Sequence, residues 1–345
     1  MPNFYSDTQT RPTAEMRATV LEAEVGDEQM AGDPTTTRLE HRVAKLLGKE
    51  AALFLPSGTM CNEIAIKVHV DPGDEVIAHW SSHIIGYESG GPAALSGAMI
   101  HPLDGPHGIF TGEQVARAIR PQSRYMPPSR LVSIEQTANL GGGAIWPLDV
   151  IDQVAEVAHE AGLVTHMDGA RLLNAVVATG IPAARMAEGM DSVWIDLTKG
   201  LGAGVGAVIA GSQDFIERAW RWKQQWGGAM RQSGILAAMG LYALDHHVDR
   251  MADDHARAAR IGAALAGMAQ VESVLPVETN IVIFRMAPDG PGSAELIETA
   301  REAEVLISPR DERTCRIVTH LDVDDDDVDD LLEVMASALD RAVGA

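Results

Sequence analysis

Short apolar runs and helical stretches take turns along most of this chain, and that alternation limits its fold more than any other feature. "AALFLPSG" leads into "TMCNEIAIKVHV", "DEVIAHW" follows a "DPG" turn, and "RLVSIEQT" precedes "PLDVIDQVAEVAHEAG". Then come "LVTHMDGA", "DSVWIDL" and "GAVIAG", followed by the helical "SQDFIERAWRWKQQW". Such alternation predicts an α/β fold with a largely parallel sheet and covering helices. From about residue 250 the pattern changes. A helix, "MADDHARAARIGAALAGMA", is followed by "TNIVIFRM", "EVLISPR" and "TCRIVTHLDV", which predicts a small α+β unit. The last helix begins near "DDDDVDD", with Val328, Leu331, Leu332, Met335 and Leu339 on one face. Asp322, Asp324, Asp326 and Glu333 also fall near calcium-loop positions, but Asp327 stands where that loop needs glycine. A helix start, whose dipole favours acids, is the preferred reading.

The length of 345 residues fits two domains, or one large domain with a smaller partner. The net charge of −22 would repel nucleic acid and anionic lipid, so a small-molecule ligand is the better expectation. An anionic ligand must then be held by a local cluster of donors. Cys61 and Cys315 are too few for a disulfide framework. "MPNFYSDTQTRP" lacks a basic and apolar leader, and no run approaches the ~18 apolar residues of a membrane helix. A soluble cytoplasmic protein is expected.

The stretch "DLTKGLGAGVGAVIAG" raises the chemical question. The chain has five lysines, and Lys199 stands at the mouth of a glycine run directly after the apolar "DSVWIDL". Lys45, Lys49 and Lys67 in amphipathic helices and Lys223 in "RWKQQW" read as surface lysines. Gly200, Gly202, Ala203, Gly204 and Gly206 read instead as a thin wall that a flat ligand can approach. "GAGVGA" also fits a loose dinucleotide fingerprint, but it leads into a strand where that fingerprint opens a helix. No H-E-x-x-H or Walker pattern supports a metal or nucleotide enzyme. Asp168 ends a predicted strand, with Gly169 after it and His166 on the same face. Taken alone it is equally a helix cap. With a lysine one strand later, the pair has the form of a Schiff-base lysine and a partner for a protonated pyridine, the arrangement used around pyridoxal phosphate (PLP). Ser57, Gly58 and Thr59 of "LPSGT" could cradle a phosphate at a helix start or merely form a capped turn. His83 in "HWSSHIIGYESGG" reads as a lid or as a structural histidine.

These residues belong to a longer pattern. "SDTQTRPTAEM", "AEVGDEQMAGDPTTTRLE", "GKEAALFLPSGTMCN", "HMDGARLLNAVV", "TKGLGAGVGAVI", "GGAMRQSGILAAMGLYAL" and "RIVTHLD" occur in that order, from about Ser6 to Leu321. In this the chain resembles the L-threonine aldolase family of low-specificity type, in the PLP-dependent β-eliminating lyase group. The resemblance implies the aspartate aminotransferase fold (fold type I), with a mostly parallel seven-stranded sheet. It implies an N-terminal arm over residues 1–15, a large PLP-binding domain over 16–248 and a small C-terminal α+β domain over 249–345. It implies cleavage of β-hydroxy-α-amino acids to glycine and an aldehyde, in a homotetramer built from dimers.

By the same resemblance Lys199 would carry PLP, Asp168 would hold the ring nitrogen protonated, and His83 would stack on the ring near the substrate hydroxyl. Ser57, Gly58 and Thr59 would bind phosphate, joined by Arg231, in one arrangement from a neighbouring subunit. Ser6, Arg171 and Arg316 would hold the substrate carboxylate, with Arg171 also among the cofactor-binding residues and Arg310 and Arg313 as rivals for the last place. No metal is implied as catalyst; a structural cation near Thr8 and Thr10 stays open. Where the family commonly has other residues, this chain has Met30, Tyr125, Ala138 and Gln224, all expected around the substrate's β-substituent. Other PLP reactions, namely β-elimination, transamination or racemisation, would use the same lysine and aspartate.

Overall fold

The computed structural model describes residues 1–341. The larger sheet takes β1 (Ala51–Leu55), β2 (Glu75–His79), β3 (Met99–Leu103), β4 (Ser129–Glu135), β5 (Val164–Gly169), β6 (Ser192–Asp196) and β7 (Ala207–Gly211). Their order is β1-β7-β6-β5-β4-β2-β3. β3, β2, β4, β5 and β6 run parallel, whereas β7 is antiparallel to both its neighbours. The sheet is thus mostly parallel, as expected. Its inner strands β2, β6 and β7 are buried along their whole length because helices cover both faces. β1 shows the division: Phe54 points into the cluster with Leu39, Val43 and Val208, while Leu53 and Leu55 meet Ile64, Phe215 and Ile209 on the other face. β3 lies at the edge, and there Pro102 costs no ladder bond.

The second sheet has the order β10-β11-β9-β8, from β8 (Val271–Val274), β9 (Ile281–Met286), β10 (Ser308–Pro309) and β11 (Thr314–Val318), all antiparallel. It has its own core of Ile261, Leu265, Phe284, Ile317, Leu331 and Met335. The expected strand "EVLISPR" shrinks to two paired residues, and β8 was not foreseen. Phe4 is buried in this second core, and its backbone bonds to Leu306 O (2.8 Å) and Val318 N (2.9 Å) tie the chain start to β11. The acid run opens the helix Asp325–Arg341, where Asp324 Oδ1 accepts from Asp327 N at 3.0 Å. Asp322 pairs with Arg11 at 2.9 Å and Asp325 with Arg257 at 2.8 Å. No helix among the described residues is long and apolar enough to cross a membrane.

Lys223 corrects an expectation: it is fully buried, not at the surface. Its helix, Gln213–Gln225, turns that position inward, where Nζ lies 2.8 Å from Glu28 Oε1 and 4.5 Å from the Trp220 ring centre. Lys49 likewise donates from a half-buried place to Ala187 O at 2.8 Å. Glu28 Oε1 also takes Met230 N, and Asp33 takes Gly234 N at 3.0 Å, so the segments around residues 27–33 and 228–234 clasp each other. Glu40, half-buried beside the same cluster, accepts from Phe54 N at 2.9 Å. Burial lifts its pKa to about 7, with Lys223 pulling the other way.

A raised folded-state pKa means that the native protein loses stability as the pH climbs from about 4.5 through about 7. Glu40→Gln keeps the acceptor and has no proton to lose. Its stability relative to the unmodified chain should therefore grow across that window by roughly 1–3 kcal/mol and level off above it, as read from urea unfolding at a series of pH values.

Candidate active site

The C-terminal ends of the parallel strands, where open α/β sheets place ligands, carry the chemistry. The register puts Glu135 of β4, Asp168 of β5 and Trp194 of β6 side by side. They line a cleft of about 680 Å³ together with Ser6, Ser57, Gly58, Thr59, His83, Arg171, Lys199 and Arg316. Nine of the ten proposed site residues thus converge. Arg231 does not: it is exposed and bonds Asp27 at 2.7 Å. Of the three candidate arginines, Arg310 and Arg316 line the cleft, while Arg313 turns away to the carbonyls of Ala287 and Gly290.

Lys199 follows β6, and its amine pairs with Asp196 beside the Trp194 ring, 5.6 Å from its centre. The glycine wall is narrower than expected. Only Gly204 and Gly206 of that run reach the cleft; Gly200 packs on Met251, and Gly202 on Leu321 and Thr10. Gly206 has φ +110, and a Cβ there would sit 2.3 Å from Phe54, so backbone and packing both require glycine. Gly58 opens the helix Gly58–His69 behind the cap Ser57, and a Cβ on it would meet Trp194 at 2.3 Å. The helix start therefore presses against the indole, with its free N–H groups beside the cleft.

Asp168 is held from beneath by Asn62, which the sequence gave no reason to single out. The indole N–H of Trp194 can only donate, so the atom it meets at 2.7 Å must be the Asn62 oxygen. The Asn62 amide nitrogen then donates to Asp168 Oδ2 (2.8 Å) and Glu88 Oε1 (2.7 Å). His166 Nε2, at 3.1 Å from the same Asn62 oxygen, must carry a proton, and its Nδ1 accepts from Ser192 at 2.8 Å. Burial keeps that histidine neutral, with a pKa near 3. Asp168 Oδ1 accepts from Ala170 N at 3.0 Å. Burial lifts the Asp168 pKa above its ordinary value, although His83, Asn62 and Lys199 oppose the rise. A buried carboxylate in that state is one that a further cation would stabilise.

His83 donates from Nδ1 to Glu88 at 2.8 Å, stacks on Tyr87, and its backbone N–H meets Glu135 at 2.9 Å. Burial would lower its pKa, but Glu88, Asp168 and Glu135 together raise it. Glu135, overlooked in the sequence, sits at about 7 because of burial and the Asp168 charge. Arg171 is buried and gripped by Asp7 through Nε (2.7 Å) and Nη2 (2.6 Å). Arg316 reaches in from β11, donating to Asn139 at 2.9 Å, with its Nε buried and without a partner. Burial and the neighbouring Arg171 lower its pKa to about 10. Two adjacent guanidinium groups of this kind call for an anion. Met30, Tyr125 and Gln224 are exposed and do not line this chain's cleft; Ala138 is buried between the lining residues Thr137 and Asn139.

The residues present fit PLP: an amine at Lys199, an acid at Asp168 for the pyridine nitrogen, and a helix start for the phosphate. Fold and site together define a PLP-dependent enzyme of fold type I. The beta-eliminating lyase family profile matches residues 3–288. The Arabidopsis thaliana protein named probable low-specificity L-threonine aldolase 2 is 41% identical over 338 residues, covering 95% of this chain and 94% of that one. The low specificity L-threonine aldolase of Escherichia coli K12 is 38% identical, over 94% of this chain and 95% of that one. Among solved structures, Leishmania major threonine aldolase superposes with a TM-score of 0.82 at 21% identity, covering 98% of this chain and 100% of that one. The aspartate aminotransferase of Rhizobium meliloti gives 0.72 at 15% identity, over 99% and 91%. These two likenesses concern the fold alone. The chain belongs to the beta-eliminating lyase family and, within it, to the low-specificity L-threonine aldolases.

The tight contact at Gly58 generates a direct check. Gly58→Ala must displace either the helix start or the Trp194 ring. PLP affinity, measured by equilibrium dialysis, should fall about tenfold or more while the fold persists, since overpacking of this kind costs about 1–3 kcal/mol.

Proposed function

We propose that this protein cleaves L-threonine, L-allo-threonine or related β-hydroxy-α-amino acids to glycine and an aldehyde, as a PLP-dependent carbon–carbon lyase. The observation that carries the reading is the convergence on one cleft of Lys199, Asp168, Arg171 and Arg316, the last with no carboxylate partner among the described residues, in a chain whose relatives are named threonine aldolases. PLP, when bound, supplies an electron sink for the electrons released as the Cα–Cβ bond breaks.

The chain's own residues do the rest. Lys199 would be the amine that attaches the cofactor, and Asp168 would stabilise a proton on its ring nitrogen. Arg316, with the free edge of Arg171, holds the substrate carboxylate; a forked pair fixes orientation as well as position. Ser6, whose Oγ accepts from Thr8 N at 3.2 Å, lies at the same end of the cleft and adds a hydroxyl. Held there, the substrate would have its orientation fixed for cleavage of the Cα–Cβ bond. His83 Nε2 is the ring nitrogen left after Nδ1 meets Glu88, and it accepts the proton of the β-hydroxyl as the aldehyde leaves. Asp7 fixes Arg171 and so belongs to the clamp. The reading also takes residues 16–248 as the cofactor unit, 249–345 as the small unit and 1–15 as an arm. It includes a cytoplasmic homotetramer, with Arg231 offered to a neighbouring copy's phosphate site.

Product identification tests the reaction type. L-Threonine and L-allo-threonine should yield glycine and acetaldehyde; 2-oxobutanoate would mean elimination instead. Because the base must be neutral, kcat/KM should fall as the pH drops through a midpoint above about 6.5, and His83→Asn should abolish that limb. Arg316→Ala should raise KM tenfold or more, since a buried charge pair is worth about 2–5 kcal/mol. Arg313→Ala should stay within about twofold.

A further inference from the structure

Behind His83 lies a carboxyl pair that the reading above leaves unused. Glu63, on the helix Gly58–His69, and Glu88 are both buried and stand within hydrogen-bond reach of each other. Both oxygens of Glu63, and Oε2 of Glu88, meet no N–H or O–H donor among the described residues. Gly91, whose N–H meets the Glu88 carbonyl at 2.8 Å, closes over Glu63 so tightly that a Cβ there would lie 1.9 Å from Glu63 Oε1. Two carboxylates in such contact cannot both stay ionised, and one proton between them satisfies the orphaned oxygens. Consistent with this, burial and the Glu88 charge push the Glu63 pKa up to about 8. The remaining oxygen, Glu88 Oε1, accepts from both His83 Nδ1 (2.8 Å) and Asn62 Nδ2 (2.7 Å).

We propose that Glu63 and Glu88 hold one proton between them, and that this pair, through Glu88 Oε1, orients the His83 ring and sets the pH at which it titrates. With Nδ1 turned to Glu88, only Nε2 faces the cleft. The charged groups around His83 are Glu88 from its own turn, Glu135 from β4 and Asp168 from β5, while Tyr87 stacks on the ring. Glu88 is the one that bonds the ring directly, so the charge left on the pair acts on the histidine at the shortest range. Glu63 touches neither cofactor nor substrate in this scheme; it fixes where the shared proton sits. Both acids are positioning residues. The catalytic meaning of the pair rests on the reading of His83 as the base, whereas its proton content does not.

The test uses the PLP-loaded enzyme. Infrared difference spectra near neutral pH should show a protonated-carboxyl C=O band in the unmodified chain that is lost in E63Q. His83, followed by NMR of carbon-13-labelled histidine and assigned by its absence in H83N, should titrate about one pH unit lower or more in E88Q, a tenfold change in proton affinity. Its midpoint in E63Q should stay near that of the unmodified enzyme, because the pair keeps its single negative charge. Absence of the band difference, or an unmoved His83 midpoint in E88Q, overturns the proposal. If the midpoint moves while the acid limb of kcat/KM does not, the pair stands and the assignment of His83 as base falls.

Discussion

A buried carboxylate, Asp168, is the constraint around which this protein is arranged. Asp168, one residue before the end of β5, is buried at the wall of the cleft, so the fold must surround it with donors and cations. Asn62 gives it one hydrogen bond, Ala170 N another, and His83 and Lys199 add positive charge from the cleft side. The Asn62 amide is itself fixed from three sides, by Trp194, His166 and Glu88. Were that amide reversed, two donors would face each other and Asp168 would lose its partner. The neutral His166 and the hydroxyl of Ser192 thus serve the site although neither lines it.

The arginine end of the cleft depends on parts that lie far apart in sequence. Asp7 comes from the chain start, Arg171 from the turn after β5, and Arg316 from β11 of the smaller sheet. Asn280 also donates to Asp7, at 3.2 Å, and Arg316 reaches Asn139 beyond β4. The N-terminal segment is therefore pinned on one side by Phe4 in the small core and on the other by Asp7 on Arg171. The proposed carboxylate clamp and the joining of the two sheets use the same contacts, so a shift of the smaller sheet would move Arg316 relative to Lys199.

Much of this was legible in the sequence because it followed from periodicity and from chemically costly residues. Unbroken apolar strands between helices identified the larger sheet, and a scarce lysine and a strand-end aspartate identified its functional edge. Asn62, Glu88 and Glu135 were not legible, since each is an ordinary polar residue until the fold buries it against a neighbour more than twenty positions away. Lys223 misled for a related reason: its polar context "RWKQQW" resembles a solvated face, and only the partner Glu28, brought in from another segment, explains its burial. The glycine run was read as a wall for a ligand, yet Gly200 and Gly202 answer to helix and arm packing. Arg231 lies outside this chain's cleft and pairs with Asp27, which leaves of its two expected arrangements only the one that serves a neighbouring copy.

The central claim is that the amine at residue 199 is the one to which the cofactor is covalently joined, opposite the acid at 168. Reduction of the PLP-loaded enzyme with borohydride, followed by peptide mass mapping, measures this directly. The account predicts a pyridoxyl adduct on Lys199 alone. An adduct on another lysine, or none despite a bound cofactor, would contradict it.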